Sequence, residues 1–181
     1  LATAVYGATL YSVKGTYDDC SRLNVELSFE LPWGFVNTNL RSYYAEGSKT
    51  IAYEIAEQLG WELPSAVVSP IASGALYARL AKGFQEFLDL GLVAGTLPRL
   101  FGGQPEGCHP VQTAFESGQR VVPVRPNSIA RSLAIGSPAD GDIAVETARQ
   151  TNGAIYTVPE EDIGTNMALL AEQAGIFGET A

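Results

Sequence analysis

Short apolar runs alternate along the chain with longer segments whose apolar residues recur at helical spacing. The runs Ala66–Pro70 and Ala154–Val158 are each followed by such a segment, over 75–90 and over Glu160–Ala174. This alternation favours right-handed β–α–β crossovers between parallel strands. The sequence therefore predicts an α/β fold, a three-layer structure in which an open, mostly parallel twisted sheet has helices on both faces.

The remaining pattern predicts a similar succession of elements. We expect helices at 16–31, 46–59, 111–118 and 139–151, and strands at 34–37 and 98–102. The inward face of the second of these helices is expected to carry Ile51, Ile55, Ala56 and Leu59. The first strand, Ala66–Pro70, is continuously apolar, which is typical of parallel sheets covered on both faces.

The charge of the chain limits the kinds of partner that it is expected to bind. Twenty acidic and eleven basic residues give a net charge of −9, and the basic residues form no cluster, so we expect no nucleic-acid partner. The acidity does not exclude a phosphorylated small ligand, because one pocket can be locally positive. The two cysteines, Cys20 and Cys108, lack the paired spacing that metal sites use, so we expect no metal.

The chain also lacks the signals of membrane insertion or export. No apolar run reaches the roughly 18 residues of a spanning helix, and the N-terminus has no signal pattern, so we expect a cytoplasmic protein without a membrane partner. The sequence starts at Leu1 rather than Met and stops at Ala181, directly after an apolar turn. We expect the fold to be truncated at both ends.

The strongest candidate site is the turn at 69–75, where a strand passes into a helix through small residues. Small side chains let backbone N–H groups approach a phosphate, the helix N-terminus favours an anion, and the Ser73 hydroxyl adds a donor. The motif lacks the lysine of a P-loop and the glycine spacing of dinucleotide folds. The same residues therefore also suit a tight β–α turn that uses small side chains only to save space.

Two further segments place polar or small residues at loop ends. Residues 37–41 combine amide, hydroxyl and guanidinium groups that can bind a phosphate or carboxylate, and Lys49 could reach the same cleft. A solvated loop with a surface lysine is the plainer interpretation. At Ile135 and Gly136, a glycine would permit the close approach of a flat ring, or the pair simply precedes an ordinary helix start.

Three ordered motifs together resemble the threonine synthases of the fold type II pyridoxal-phosphate (PLP) family. They are the segments 43–50, 69–74 and 129–138. The closing segment 175–181 also resembles the family, so the resemblance covers nearly the whole chain. It implies that O-phosphohomoserine and water are converted to threonine and phosphate, with the protein positioning the coenzyme and substrate.

The resemblance also implies the roles of individual residues. The coenzyme phosphate would be held by Ala72, Ser73, Gly74 and Ala75. The pyridine ring would contact Ile135 and Gly136, with Glu179 near its edge. The phosphorylated amino-acid substrate would be received by Asn37, Thr38, Asn39, Arg41 and Lys49. Residues 1–36 would end the family's smaller domain, residues 37–181 would form most of the larger, PLP-binding one, and the protein would be a homodimer.

One departure from the family concerns catalysis. Lys14, Lys49 and Lys82 are the only lysines, and none has the serine-rich or asparagine-rich setting of the family's Schiff-base lysine, which lies upstream of the phosphate-binding turn. We therefore expect an enzyme as the parent protein and an inactive 181-residue chain. A threonine or serine dehydratase, a cysteine-synthase-like enzyme and a non-catalytic α/β module that binds an anion remain alternatives.

Overall fold

The computed structural model describes residues 2–37 and 42–181. The chain divides into two compact units, Leu1–Phe35 and Val36–Ala181. Their assignment to the smaller and larger domains of the resembling family stays a prediction. The expected substrate residues Thr38, Asn39 and Arg41 lie outside the described residues.

The first unit contains two described helices, α1 (Ala2–Val5) and α2 (Tyr17–Glu30). A capping box begins α2, because the Asp19 carboxylate accepts from the Thr16 N–H at 2.8 Å and the Thr16 hydroxyl accepts from the Asp19 N–H at 3.3 Å. The predicted helix at 16–31 is therefore confirmed, and its N-terminal signal is the residue pair that the structure uses.

The predicted strand at 34–37 is wrong. These residues have no regular secondary structure, and no described strand pairs with them. Val36, which a buried strand would cover, is 91% exposed. An aromatic and β-branched run becomes a strand only where a neighbouring strand supplies hydrogen bonds, and the local sequence does not report that neighbour.

The second unit carries three parallel strands within its described residues. In chain order its elements are α3 (Ser42–Gly47), α4 (Thr50–Gln58), β1 (Ala66–Pro70), α5 (Ala75–Asp89), β2 (Arg99–Pro105), α6 (Pro110–Ser117), a short 3₁₀ turn (Arg131–Leu133), α7 (Gly141–Gln150), β3 (Ala154–Val158) and α8 (Glu160–Ala174). The sheet order is β1-β2-β3, with Val68 beside Phe101 and Gly103 beside Tyr156.

The predicted helix at 46–59 is divided in the structure, where α3 ends at Gly47 and α4 begins at Thr50. Its inward face also differs, because Ile51 and Leu59 are about half exposed while Ala52 is fully buried. The reason is close packing: a Cβ added to Gly83 of α5 would lie 2.8 Å from the Ala52 Cβ. Small residues let the two helices approach, and larger apolar ones are turned outward.

One face of the sheet supports the main core under α5, α6 and α7. Its most deeply buried large side chains are Ile71, Tyr77, Phe84, Leu100 and Val111. Tyr77 of α5 donates its hydroxyl to the Leu100 carbonyl of β2 at 2.7 Å, which ties this helix directly to the sheet. Burial of apolar surface on this face is the main stabilising contribution to the unit.

The opposite face is covered by α8 near the carboxyl ends of the strands, through a small cluster of Ala130, Leu133 and Ile163 with Val158 and Met167. In the middle of β1, however, Val68 is 80% exposed. The expectation that β1 is covered on both faces is therefore wrong at Val68. The predicted α/β fold, with a parallel sheet and helices on both faces, is confirmed.

Candidate phosphate-binding site

The candidate site lies at the carboxyl edge of the sheet. Because the strands are parallel, β1, β2 and β3 end at the same edge, at Pro70, Pro105 and Val158. Open parallel sheets bind ligands at this edge, where helix N-termini converge. The turn at 72–74 leaves β1 there and leads into α5.

A buried glutamine anchors the front of this turn. Ile71 donates its N–H to the Gly103 carbonyl at 2.9 Å, and its carbonyl accepts from Gln104 Nε2 at 3.3 Å. Gln104 is 1% exposed, and its Oε1 accepts from the N–H groups of Val111 and Gln112 at 2.9 and 3.0 Å. One side chain therefore joins β2, the start of the turn and the N-terminus of α6.

The back of the turn is anchored on the residue that precedes α7. Asp140 donates its N–H to the Ser73 carbonyl at 2.9 Å. Gly74 has a φ of +91°, and a Cβ there would lie 2.5 Å from the Asp140 carbonyl oxygen. Only glycine suits this left-handed conformation and this close approach. The Ser73 hydroxyl accepts from the Ala75 N–H, at the start of α5, at 3.4 Å.

The turn leaves backbone donors available. Within the described part of the chain, the N–H groups of Ala72, Ser73 and Gly74 have no hydrogen-bond acceptor. They directly precede a 15-residue helix whose first turn carries no acidic residue. The helix dipole and these unpaired amides together favour an anion. The residues present therefore fit a phosphate group.

Ile135 and Gly136, the residues expected to contact the coenzyme ring, lie shortly before Asp140 in sequence. Asp140 is the residue that binds the turn through the Ser73 carbonyl. Gly136 accepts a hydrogen bond from the Val124 N–H at 3.0 Å, and a Cβ on Gly136 would collide with the Val124 carbonyl. The need for glycine is thus explained by packing within the chain itself. Contact of Ile135 and Gly136 with a coenzyme ring stays a prediction.

Glu179 is bound to the 3₁₀ turn that shortly precedes Ile135 and Gly136. Ser132, in the 3₁₀ turn, donates its hydroxyl to Glu179 Oε1 at 2.6 Å. Glu179 also lines a cavity of about 310 Å³ between α8 and the carboxyl ends of the strands. Among the described residues that line this cavity are Ser69, Gln104 and Met167, but not the turn at 72–75 or Ile135 and Gly136.

Lys49 belongs to a network of charges between α3, the start of α4 and α5. Its Nζ lies 2.8 Å from Glu46 Oε2 and 2.9 Å from Glu86 Oε1, while Lys82 Nζ lies 2.7 Å from Glu46 Oε1. Arg79 Nε is 3.3 Å from Glu46 Oε1, close enough for an ion pair but without hydrogen-bond geometry. The ammonium of Lys49 is thus bound by carboxylates, and its contact with substrate stays a prediction.

These contacts set the protonation of the network. Hydrogen bonds from Lys49 and then Lys82 lower the pKa of Glu46 to about 2. The bonds to Glu46 and then Glu86 raise the pKa of Lys49 above its usual value. Both groups are therefore held in their charged forms across the neutral range.

Sequence reasoning missed two residues of the site, Gln104 and Asp140. A signal for Gln104 existed, because Leu100, Gly102 and Gln104 alternate toward the same buried face of β2. A polar residue at such an inward position needs partners, which marks it for attention. Asp140 contributes through its backbone, and a backbone contact leaves no signal in residue type.

The described residues contain neither a metal-binding cluster nor a membrane helix. Across 2–37 and 42–181, no group of three or more His, Cys, Asp or Glu residues could hold a metal ion. In the same ranges, no helix is both long and apolar enough to cross a membrane.

Comparison with known protein families matches residues 1–181 to the family described as pyridoxal-phosphate dependent enzyme. The chain belongs to this family. Membership in this PLP-dependent family identifies PLP as the cofactor.

Curated relatives from this PLP-dependent family are named threonine synthase. The protein from Methanocaldococcus jannaschii is 33% identical over 178 residues, which are 97% of this chain and 44% of that protein. The one from Methanosarcina acetivorans is 32% identical over 179 residues, which are 98% of this chain and 44% of that protein. The chain therefore spans less than half the length of these relatives.

Solved structures with the same fold include a serine racemase and a threonine deaminase. Maize serine racemase has a TM-score of 0.76 at 17% identity, covering 98% of this chain and 50% of that one. The processed form of threonine deaminase isoform 2 from Solanum lycopersicum has a TM-score of 0.66 at 19% identity, covering 86% of this chain and 42% of that one. These likenesses confirm the fold type II architecture.

Proposed function

We propose that the full-length protein is a threonine synthase, which converts O-phosphohomoserine and water to threonine and phosphate. The ordered motifs at 43–50, 69–74 and 129–138 support this proposal. Relatives named threonine synthase, at 33% and 32% identity along nearly the whole chain, support it as well. A cytoplasmic location, a homodimeric state and the absence of a nucleic-acid partner complete the proposal.

The observation that carries the proposed site is the set of unpaired amides at Ala72, Ser73 and Gly74. We propose that these N–H groups, with Ala75 and the positive end of α5, bind the phosphate of PLP. When bound, PLP supplies an electron sink for reactions at the substrate's carbon atoms. The chain's own contribution is to hold the coenzyme at a fixed place, with Ile135, Gly136 and Glu179 proposed beside its ring.

The substrate phosphate is proposed to bind at Asn37, Thr38, Asn39 and Arg41, in the segment that directly precedes α3. A guanidinium can donate two parallel hydrogen bonds to a phosphate, which is the reason for giving Arg41 the main role. Lys49 follows α3 and would contribute positive charge nearby while it stays bound to Glu46 and Glu86.

The 181 residues alone are expected to be catalytically inactive. Two of the three lysines, Lys49 and Lys82, form ion pairs with Glu46. A lysine links to a coenzyme through its neutral amine, and the carboxylates bound to Lys49 raise its pKa and so disfavour that form. The third, Lys14, lies in the first unit and lacks the sequence setting of the family's lysine.

The direct test is a substrate comparison with the full-length protein loaded with PLP. O-phosphohomoserine, threonine and O-acetylserine are supplied separately, and threonine, inorganic phosphate and 2-oxo acids are measured. We expect threonine and phosphate to appear in equal amounts from O-phosphohomoserine, and the 181-residue chain to give neither. Formation of a 2-oxo acid from threonine, without threonine formation from O-phosphohomoserine, would establish a dehydratase instead.

A further inference from the structure

We infer that Gln104 is a positioning residue for the phosphate of PLP, because its hydrogen bond to Ile71 sets the direction of the Ala72 N–H. This inference rests on the proposed binding of that phosphate at 72–75. Gln104 lies on a different strand from the turn and need not touch the coenzyme to act in this way.

The bond from Gln104 acts on one peptide group, which joins Ile71 to Ala72. The carbonyl of Ile71 and the N–H of Ala72 belong to the same planar trans peptide unit, so they point in opposite directions. Gln104 Nε2 donates to that carbonyl at 3.3 Å. Fixing the carbonyl toward Gln104 therefore fixes the Ala72 N–H away from Gln104, where no described residue accepts it.

A second hydrogen bond orients a peptide group further along the turn in the same way. The Ser73 carbonyl accepts from the Asp140 N–H at 2.9 Å. Because that carbonyl shares a peptide group with the Gly74 N–H, Asp140 directs the Gly74 amide away from itself. Two of the three unpaired donors are thus aimed by bonds made on the far side of their own peptide groups.

The side chain of Gln104 can face only one way. Its Oε1 accepts from the N–H groups of Val111 and Gln112, so the amide oxygen must lie toward α6 and the NH₂ toward Ile71. The side chain is 1% exposed, and water therefore cannot replace a lost bond without cost. A donor and an acceptor on one planar group are both needed here, which an ionised glutamate and methionine do not provide.

The test separates phosphate binding from general stability by using two ligands. In the full-length protein, Gln104→Glu keeps an oxygen for Val111 and Gln112 but, as the ionised carboxylate, lacks the donor to Ile71. We expect the affinity for PLP to fall about tenfold, in line with one buried hydrogen bond. The affinity for pyridoxal, which has no phosphate, should change by less than about twofold.

Two further variants control for charge and folding. Gln112→Glu adds the same charge to a buried residue of α6 whose side chain makes no described hydrogen bond to 71–75, and it should keep the preference for PLP over pyridoxal. Gln104→Met has no added charge and lacks the donor, so it should lose that preference even if Gln104→Glu fails to fold. Circular dichroism checks folding in each case.

The possible results distinguish the role of Gln104 from the proposed phosphate site and from the proposed reaction. An unchanged preference for PLP in folded Gln104→Met overturns the role of Gln104. A wild-type protein that binds PLP and pyridoxal equally overturns the phosphate site at 72–75. Absence of threonine synthesis with a normal preference for PLP overturns the proposed reaction alone. In protein labelled with ¹⁵N-alanine, the Ala72 amide signal should shift with PLP and shift less with pyridoxal.

Discussion

The turn at 72–75 and the segment from α3 to Lys49 are both fixed in relation to α5, but by different physics. The turn is held by neutral hydrogen bonds among buried groups, with Gln104 and Tyr77 at 1% and 0% exposure. The other segment is held by ion pairs, whose members Glu46 and Lys82 have side chains 37% and 45% exposed.

The two regions therefore respond differently to salt and pH. Neutral buried bonds are insensitive to salt and to pH near neutrality, whereas partly exposed ion pairs weaken as salt screens them and as carboxylates become protonated. The proposed coenzyme end of α5 is therefore fixed under most conditions. The ion pairs around α3, which directly follows the proposed substrate residues in sequence, change in strength with salt and pH.

The largest expected effect comes from replacing Gly74 in the buried region. Gly74→Ala forces a left-handed residue and a collision with Asp140, and together these should lower the free energy of unfolding by about 2–4 kcal/mol. Gly91→Ala is the matched control, because Gly91 has a φ of +67° with nothing within 4 Å of an added Cβ. Urea unfolding measures both, and equal losses would show that Asp140 does not confine the turn.

A smaller effect is expected from one hydroxyl in each region. Tyr77→Phe removes the bond to the buried Leu100 carbonyl and should lower the free energy of unfolding by about 1–2 kcal/mol. Tyr53→Phe removes a bond to Glu86 in the ion-pair region, and because water can reach this site the loss should be smaller. A larger loss at Tyr53, measured by the same urea unfolding, would reverse the comparison.

The smallest effect is a dependence on pH that only the ion-pair region should show. The folded pKa of Glu46, about 2, lies below its ordinary value of 4.5, so its stabilising contribution is present above 4.5 and is lost as pH falls toward 2. The stability difference between wild type and Glu46→Gln should shrink over this window. The difference between wild type and Tyr77→Phe should stay constant there, and a constant difference for Glu46 would contradict the network.

The fold could be predicted where sequence pattern and local structure coincide. The strands Ala66–Pro70 and Ala154–Val158 and the helix Glu160–Ala174 agree with their apolar patterns and boundary residues. The strand at 34–37 failed because pairing is a non-local property. The prediction of one helix at 46–59 was wrong about its continuity and its inward face, because the contact between Ala52 and Gly83 involves a second helix.

The site could be predicted only as far as residue type allows. Small residues after β1 indicated a turn able to bind an anion, and no described residue accepts a hydrogen bond from the amides of Ala72, Ser73 and Gly74. The bonds from Gln104 and Asp140 join segments distant in sequence, so no local pattern contains them. At Lys49 the residue type indicated a charge but not its partners, because Glu86 lies on another helix.

The bond between Asp140 and Ser73 has a consequence for synthesis on the ribosome. A growing chain emerges from its amino end, and domains fold as their residues become available. The turn at 72–75 cannot be completed when its own residues appear, since its rear support arrives only with Asp140. If this turn binds the coenzyme phosphate as proposed, capture of the vitamin-derived ligand would wait until translation has passed that residue.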